Sequence, residues 1–481
     1  MKILLINPNI DARTGQRLGP VARSLFYNSP PLGLCYIAAV LEREGHDVAV
    51  IDAAVEDLNA ERLLKRVRAC QPDIVGITTF TVSAYSARDI AAEIKRALPG
   101  AKIVFGGPHI NSNMDDFAGN RAVDIVILGE GEVTFKELAD AVGDGKSLEG
   151  VPGIAYKSGN SIIRTAPREY IKDLDILPFP ARHLIPIKKY KPQPNDQRAL
   201  PKMSVISSRG CPYSCIFCYK NIFGSKYRSF SPAYIVREIQ HLVREYGARD
   251  IAFVDSLFTP DKQRVRDIIR EMRKANLNVS WTCAIRADIV DRDLLKEMKE
   301  AGCWRVRIGA ESGSDEVLKF IRKGMTTAEI GSAVRWAHEV RLSPKAFFMI
   351  GHCTDTEKTV RETIDFALRI PLDDITVQLN TPLPGTYQYG LCRDYGLMVS
   401  DDLSEFSFWE PVFVPKGLSG KFMMRAWRDF YKRFYLRPSV WFGHLRRIRG
   451  VPDIVRYVKA LALLMYLFFG SFLIKRGRGN D

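Results

Sequence analysis

The chain has 481 residues, enough for two to four domains, and its 46% hydrophobic and 26% charged residues are the composition of a folded globular protein. That balance excludes a disordered or low-complexity chain. The net charge of +15 is not spread out: residues 416–481 hold 15 Lys/Arg against 3 Asp/Glu, so the basic character belongs to the tail.

Residues 1–150 alternate strand and helix. Short apolar, β-branched runs at 2–7, 47–53, 73–79, 102–107 and 124–128 are bounded by Gly, Pro or Asp, with amphipathic stretches between them. This pattern predicts a parallel, doubly wound sheet with helices on both faces. Ligands of such sheets sit outside the carboxyl ends of the strands. The unusual residues cluster there: Asn7 and Pro8, Thr78 and Thr79, Gly106, Gly107 and His109, and Gly129, Glu130 and Gly131. Paired glycines at a strand end permit close backbone approach to a ligand. No Gly-x-Gly-x-x-Gly follows the first strand, so a dinucleotide site is poorly supported.

Residues 151–200 read as a connector, with a hairpin at 153–165 followed by a Pro- and Lys-rich extended run. From residue 203 a second alternation begins, with strands at 203–208, 250–255, 279–287, 305–311, 346–351 and 376–381. Six βα units over 201–400 predict a partial (β/α)6 barrel with its chemistry at the strands' carboxyl ends.

The first of those ends carries Cys211-Pro212-Tyr213-Ser214-Cys215-Ile216-Phe217-Cys218-Tyr219. Soft thiolates at this spacing select an iron–sulfur cluster or zinc. Structural zinc normally takes four protein ligands, and no fourth Cys or His lies nearby. Three ligands on a four-iron cluster leave one iron open, so the site reads as catalytic. Asp255 and Ser256 follow the second strand, Arg286 the third, and Glu311 and Ser312 the fourth, while Gln378 lies on the sixth. The six other cysteines are scattered without pattern. With no secretory signal, they suit a reducing, cytoplasmic compartment.

After residue 400 the periodicity is helical. Phe422, Trp427, Phe430, Tyr431, Phe434, Tyr435, Trp441 and Phe442 are interleaved with Lys and Arg, and 460–474 is uncharged between basic flanks. Fifteen residues fall short of the ~20 that span a bilayer. A core helix closing the barrel and a membrane-surface helix on anionic lipid are the two readings, with nucleic acid ranked lower.

Cys-x-x-x-Cys-x-x-Cys with an aromatic before the third Cys resembles the signature of the radical S-adenosylmethionine (SAM) enzymes. Preceded by a five-stranded domain carrying Pro30-Pro31-Leu32-Gly33-Leu34, Gly106-Gly107-Pro108-His109 and Leu128-Gly129-Glu130-Gly131-Glu132, the chain resembles that family's cobalamin-binding methylase class. It is also similar to anaerobic magnesium-protoporphyrin monomethyl ester cyclases. The resemblance covers roughly residues 1–400. It implies three cofactors: a 4Fe-4S cluster on Cys211, Cys215 and Cys218, SAM, and cobalamin. SAM contacts are implied for Phe217, Tyr219, Asp255, Ser256, Arg286, Glu311, Ser312 and Gln378. Cobalamin contacts are implied for Asn7, Pro8, Thr78, Thr79, Gly106, Gly107, His109, Gly129, Glu130 and Gly131. Asp-x-His-x-x-Gly, whose His ligates cobalt in many cobalamin domains, is absent, which points to base-off cobalamin without a His ligand. The implied activity is methylation of an unactivated carbon, with a ring-forming radical reaction as the alternative and a non-catalytic redox or corrinoid sensor as the reading from another class. Such an enzyme takes electrons from a ferredoxin- or flavodoxin-type donor, and the tail implies a hydrophobic, lipid- or pigment-like substrate.

Overall fold

The computed structural model describes residues 1–10, 29–438, 440 and 458. The expected uncharged segment 460–474, with Trp441 and Phe442, lies outside them.

The first sheet is built from β1 (Lys2–Asn7), β2 (Asp47–Asp52), β3 (Ile74–Thr78), β4 (Lys102–Gly106) and β5 (Ile125–Ile127), all parallel in the order β2-β1-β3-β4-β5. Residues 3–6 of β1 are fully buried, as a strand covered on both faces requires. One apolar layer forms on each face. Leu5, Val50, Phe135 and Leu138 belong to one, and Leu4, Ile77, Ile94 and Phe117 to the other. The hairpin read as part of the connector instead extends this sheet. β6 (Ile154–Ser158) and β7 (Ser161–Arg164) pair antiparallel beyond β5 and complete seven strands.

Short 3-10 turns from Leu174 to Asp196 then lead to β8 (Lys202–Val205). A two-stranded ribbon follows, β9 (Ser208–Arg209) against β10 (Arg228–Ser229). Beyond it come β11 (Asp250–Phe253), β12 (Ser280–Ile285), β13 (Cys303–Glu311), β14 (Ser343–Ile350) and β15 (Asp374–Leu379). The six long strands form one parallel sheet in the order β15-β14-β13-β12-β11-β8, which is the expected open barrel. Its helices begin where the sequence supplies caps. Ser231, Asp261, Asp291, Thr326 and Thr356 each accept a bond from a backbone N–H two or three residues on. A small ribbon of β16 (Gly396–Met398) and β17 (Phe413–Pro415) follows.

An open barrel has two edge strands, and unpaired edge groups need cover. On the β8 edge, the buried Arg182 donates to the Ser204 carbonyl at 2.8 Å and pairs with Glu238 at 2.6 Å. On the β15 edge, the helix Gly420–Tyr435 does this work. The Tyr431 hydroxyl accepts from the Val377 N–H at 2.8 Å, and Trp427 Nε1 donates to the Val377 carbonyl at 2.9 Å. Met423, Trp427, Phe430, Tyr431, Phe434 and Tyr435 are all buried. The aromatic half of the expected lipid-facing tail is therefore barrel core up to Tyr435. The 3.6-residue periodicity is that of a helix, as expected, but its apolar stripe faces a sheet edge. No described helix is long and apolar enough to cross a membrane.

Candidate functional site

The cysteine loop hangs from the β9–β10 ribbon, whose pairing of Arg209 with Arg228 closes its base. Gly210, at φ +82°, makes the turn into Cys211, and a Cβ there would run into the Lys226 carbonyl. Inside the loop, the Cys211 N–H donates to Gly224 O at 3.4 Å and the Cys218 N–H to Cys215 O at 3.2 Å. The barrel grips its middle: the Ile216 N–H donates to Ile321 O at 3.1 Å, and Ile216 O accepts from the Gln388 N–H at 2.9 Å. Among the described residues no three His, Cys, Asp or Glu side chains converge as ligands of a single ion. A cubane holds its thiolates on separate irons, farther apart than the ligands of one ion, and the all-thiolate donor set suits it. Burial pushes the Cys215 thiol up, while Lys323 and Arg286 pull it down toward the thiolate a cluster needs.

Lys323 was not singled out from sequence, and it is the centre of this end of the barrel. Its ammonium bonds Glu311 Oε1 at 2.7 Å and stands 5.9 Å from the Phe217 ring centroid. Glu311 reaches it from a left-handed backbone (φ +65°) at a register shift in the β13–β14 pairing. Gly309 makes the pair possible, because a Cβ there would lie 2.5 Å from Glu311 Oε1 and 2.9 Å from Lys323 Nζ. A non-glycine residue at positive φ costs about 1–3 kcal/mol and collects at functional sites. His352 closes the group. It is fully buried, its ring lies 6.0 Å from that of Phe217, and burial with the nearby Lys323 charge lowers its pKa to about 3, so it is neutral.

The other expected SAM contacts divide. Arg286 is held by Asp288 in two bonds at 2.9 and 3.0 Å, donates to Lys323 O at 2.8 Å, and lies over the Tyr213 ring at 3.4 Å. It braces the cysteine loop against the Lys323 turn. Asp255 is committed elsewhere: it is buried and accepts from the Ser207 N–H, the Ser208 N–H and the Ser207 hydroxyl at 2.6, 2.6 and 2.8 Å. It pins the entry to β9. Ser312 is likewise taken, by Thr363 Oγ1 at 3.1 Å and the Ser314 N–H at 3.2 Å. Ser256 is exposed, and Gln378 and Tyr219 are half-buried.

At the carboxyl end of the first sheet, Gly107 (φ +98°) lies against Thr78 and Thr79 so closely that a Cβ would stand 2.7 Å from Thr79 O. At Gly106 and Gly129, by contrast, no described residue lies within 4 Å of where a Cβ would be. Among the described residues nothing covers that backbone against a flat ligand. Thr79 spends its hydroxyl on Gly106 O at 2.7 Å and on the Ile110 N–H at 3.2 Å. Asn7 bonds Asp52 at 3.1 Å, and Pro8 is buried. Asn111, which the sequence did not mark, holds the loops after β4 and β5 together by donating to Gly107 O and Ile127 O and accepting from the Gly129 N–H at 2.7 Å. His109 is buried, with Nε2 bonded to Asp116 at 2.8 Å, which lowers the Asp116 carboxyl and leaves no free Nε2 for cobalt.

Glu130 corrects its expected role. Its carboxylate is buried and filled by Arg209 at 2.9 Å, by Arg228 at 3.0 and 2.9 Å, and by the Ile171 N–H at 2.8 Å. The residue joins the first sheet to the cysteine ribbon. Glycine 131 opens the helix Gly131–Gly143, where a Cβ would meet Ile37 at 2.8 Å, so it serves packing. The two strand-end regions touch at Gly385 (φ +81°). A Cβ there would overlap Ser112, on the turn after Gly107, and lie 2.9 Å from the ring of Tyr219 in the cysteine loop.

The B12 binding domain family matches residues 19–139, and the radical SAM superfamily matches residues 205–367. An uncharacterized methyltransferase of Pyrococcus horikoshii is 35% identical, over 92% of this chain and 94% of the relative. An anaerobic magnesium-protoporphyrin IX monomethyl ester cyclase of Cereibacter sphaeroides is 29% identical, over 92% of this chain and 71% of the relative. Among solved structures, the radical SAM methyltransferase TsrM of Kitasatospora setae shares the fold at TM-score 0.69 and 18% identity, covering 99% of both chains. The cobalamin-dependent SAM radical enzyme OxsB shares it at TM-score 0.73 and 16% identity, covering 100% of this chain and 73% of that one. With the fold, the three-thiol loop and a relative matched along nearly its whole length, the chain belongs to the cobalamin-dependent radical SAM methylase family, whose cofactors are cobalamin, an iron–sulfur cluster and SAM.

Proposed function

We propose that this protein transfers a methyl group to an unactivated carbon of a hydrophobic substrate. The observation that carries the reading is the packing at Gly385, which lies against both Ser112, at the end of the helix that follows Gly107, and Tyr219 of the cysteine loop, so that the carboxyl ends of the two sheets come close together. A substrate carbon between them would have the radical source on one side and the methyl donor on the other. When bound, SAM and the reduced cluster supply a hydrogen-abstracting radical, and cobalamin carries the methyl group. In this reading Cys211, Cys215 and Cys218 hold the cluster. The Glu311–Lys323 pair offers a carboxylate to the amino group of SAM and an ammonium to its carboxylate. The backbone at Gly106 and Gly129 receives the corrin. The methyltransferase relative at 35% identity supports methyl transfer, and the cyclase relative at 29% supports ring formation as the second reading.

Anaerobically reconstituted protein given hydroxocobalamin, reductant and SAM should form both 5′-deoxyadenosine and S-adenosylhomocysteine when supplied with an extract from a strain lacking the gene. Production of 5′-deoxyadenosine without S-adenosylhomocysteine would remove methylation and favour cyclisation. Lipid and pigment profiles of that strain identify the substrate class.

The hydrophobic substrate rests on the tail. After Leu436 there are nine Lys/Arg against two Asp/Glu, flanking an uncharged run. Each cation near an anionic surface contributes about 1 kcal/mol. Sedimentation with anionic vesicles, partly reversed by salt and lost on truncation after Pro438, is the expected behaviour, and a full-length chain that ignores vesicles at low salt would remove it. A ferredoxin- or flavodoxin-type donor completes the system.

A further inference from the structure

The buried charges that join the two halves of the molecule are more than a fastening. Glu130 and Glu132 lie on the loop and first helical turn that follow β5, beside Gly129, where no described residue lies within 4 Å of a Cβ position. Arg209 and Arg228 are partners across the ribbon at the base of the cysteine loop, and Arg209 is two residues from Cys211. All four side chains are buried. Arg209 bonds Glu130 at 2.9 Å and Glu132 at 2.5 Å, and Arg228 bonds Glu130 at 2.9 Å. The guanidiniums are also fixed by aromatic faces, Arg209 over Tyr36 and Phe223, Arg228 over Tyr170. Two carboxylates against two guanidiniums leave no net charge, so the joint attracts no ion of its own.

Burying four charges is a poor way to gain stability, since well-packed apolar side chains generally do as well. What these pairs supply is direction. Arg209 bridges Glu130 and Glu132 through separate Nη atoms, while Arg228 Nη1 meets both Glu130 oxygens and its Nη2 the Phe223 carbonyl, so several charge-assisted bonds at once resist sliding or rotation of the joint. A displacement of the Gly129–Gly131 backbone is therefore carried to the ribbon that holds Cys211, and the reverse.

We infer that Glu130 and Glu132 are positioning residues that couple the corrin-side loop to the cluster loop, so that cobalamin and SAM each tighten the binding of the other. The inference rests on the reading that cobalamin lies against Gly106 and Gly129. Coupling between two ligands is reciprocal, and typical couplings are about 5- to 150-fold.

The test is a linkage measurement on the full-length, cluster-reconstituted protein. SAM affinity is measured with and without hydroxocobalamin, and the electron paramagnetic resonance spectrum of the reduced cluster with SAM is recorded in both states. Wild type is expected to bind SAM at least about 5-fold more tightly with hydroxocobalamin. In Glu130→Gln, where Arg209–Glu132 is the ion pair left across the joint, that factor should fall to less than half its wild-type value, while SAM affinity without cobalamin stays within about twofold of wild type. Glu132→Gln leaves Glu130 with both arginines. It should reduce the factor only partly, and it keeps the test open if the first variant folds poorly. A purely structural joint would lower both affinities and leave the factor intact, which overturns the inference. So does wild type that binds hydroxocobalamin without any effect on SAM. Failure of wild type to bind hydroxocobalamin would instead overturn the cobalamin reading and the coupling with it.

Discussion

Removing one oxygen from Tyr431 tests how the barrel is closed. The Val377 N–H, on the outer edge of β15, donates to the Tyr431 hydroxyl at 2.8 Å. Its carbonyl accepts from Trp427 Nε1 at 2.9 Å and from the same hydroxyl at 3.2 Å. Tyr431 is buried, so no water replaces the lost oxygen in Tyr431→Phe. The carbonyl keeps Trp427, but the N–H is left without a partner, at a cost of about 1–3 kcal/mol. Because each 1.4 kcal/mol is tenfold in an opening equilibrium, amide exchange over Asp374–Leu379 should accelerate by roughly 5- to 150-fold. Trp427→Phe leaves the carbonyl its second donor, and its hydrogen-bond part should cost only about 0.5–1.5 kcal/mol. Hydrogen exchange followed by mass spectrometry on peptides covering β15 reads both variants. Unchanged exchange in Tyr431→Phe would mean that the helix Gly420–Tyr435 does not cover this edge, and the place of the 427–435 stripe in the barrel core would fall with it.

Alanine at Cys211, Cys215 or Cys218 should each abolish SAM cleavage and lower bound iron, whereas alanine at Cys283 or Cys303, buried in the barrel wall, should leave bound iron unchanged; iron analysis and 5′-deoxyadenosine release decide. Gly106→Ala should leave the fold intact, since no described residue lies within 4 Å of the new Cβ, yet weaken hydroxocobalamin binding measured by absorbance titration. Gly107→Ala should instead lower thermal stability even without cofactor, by about 1–3 kcal/mol, because the Cβ meets the Thr79 backbone at positive φ. His352 stays neutral in the fold down to about pH 3, while the unfolded chain protonates its histidine near the ordinary 6.5. Its contribution is complete above pH 6.5 and lost as pH falls toward 3, so His352→Phe should flatten the acid limb of a denaturation series, and an unchanged limb would refute the assignment.

The parallel strands and the spacing of Cys211, Cys215 and Cys218 were legible in the sequence because each depends on neighbours in the chain. Periodicity and ligand spacing act within a strand, a turn or a short loop. The roles of polar residues at strand ends were not legible. Asp255 and Ser312 carry the same chemistry whether they meet a cofactor or other groups of the protein, and only the fold brings Ser207 and Thr363 to them. Glu130 is of the same kind, since its arginines come from 79 and 98 residues away. Lys323 carried no local signal, because its partner Glu311 and its neighbour Phe217 reach it from separate turns of the barrel. The aromatic stripe from Trp427 to Tyr435 is the clearest division. Amphipathic periodicity states that one helix face is buried, but an apolar stripe has the same pattern against lipid as against a sheet edge. The choice was made by β15, whose unpaired Val377 needed a donor and an acceptor that Trp427 and Tyr431 supply.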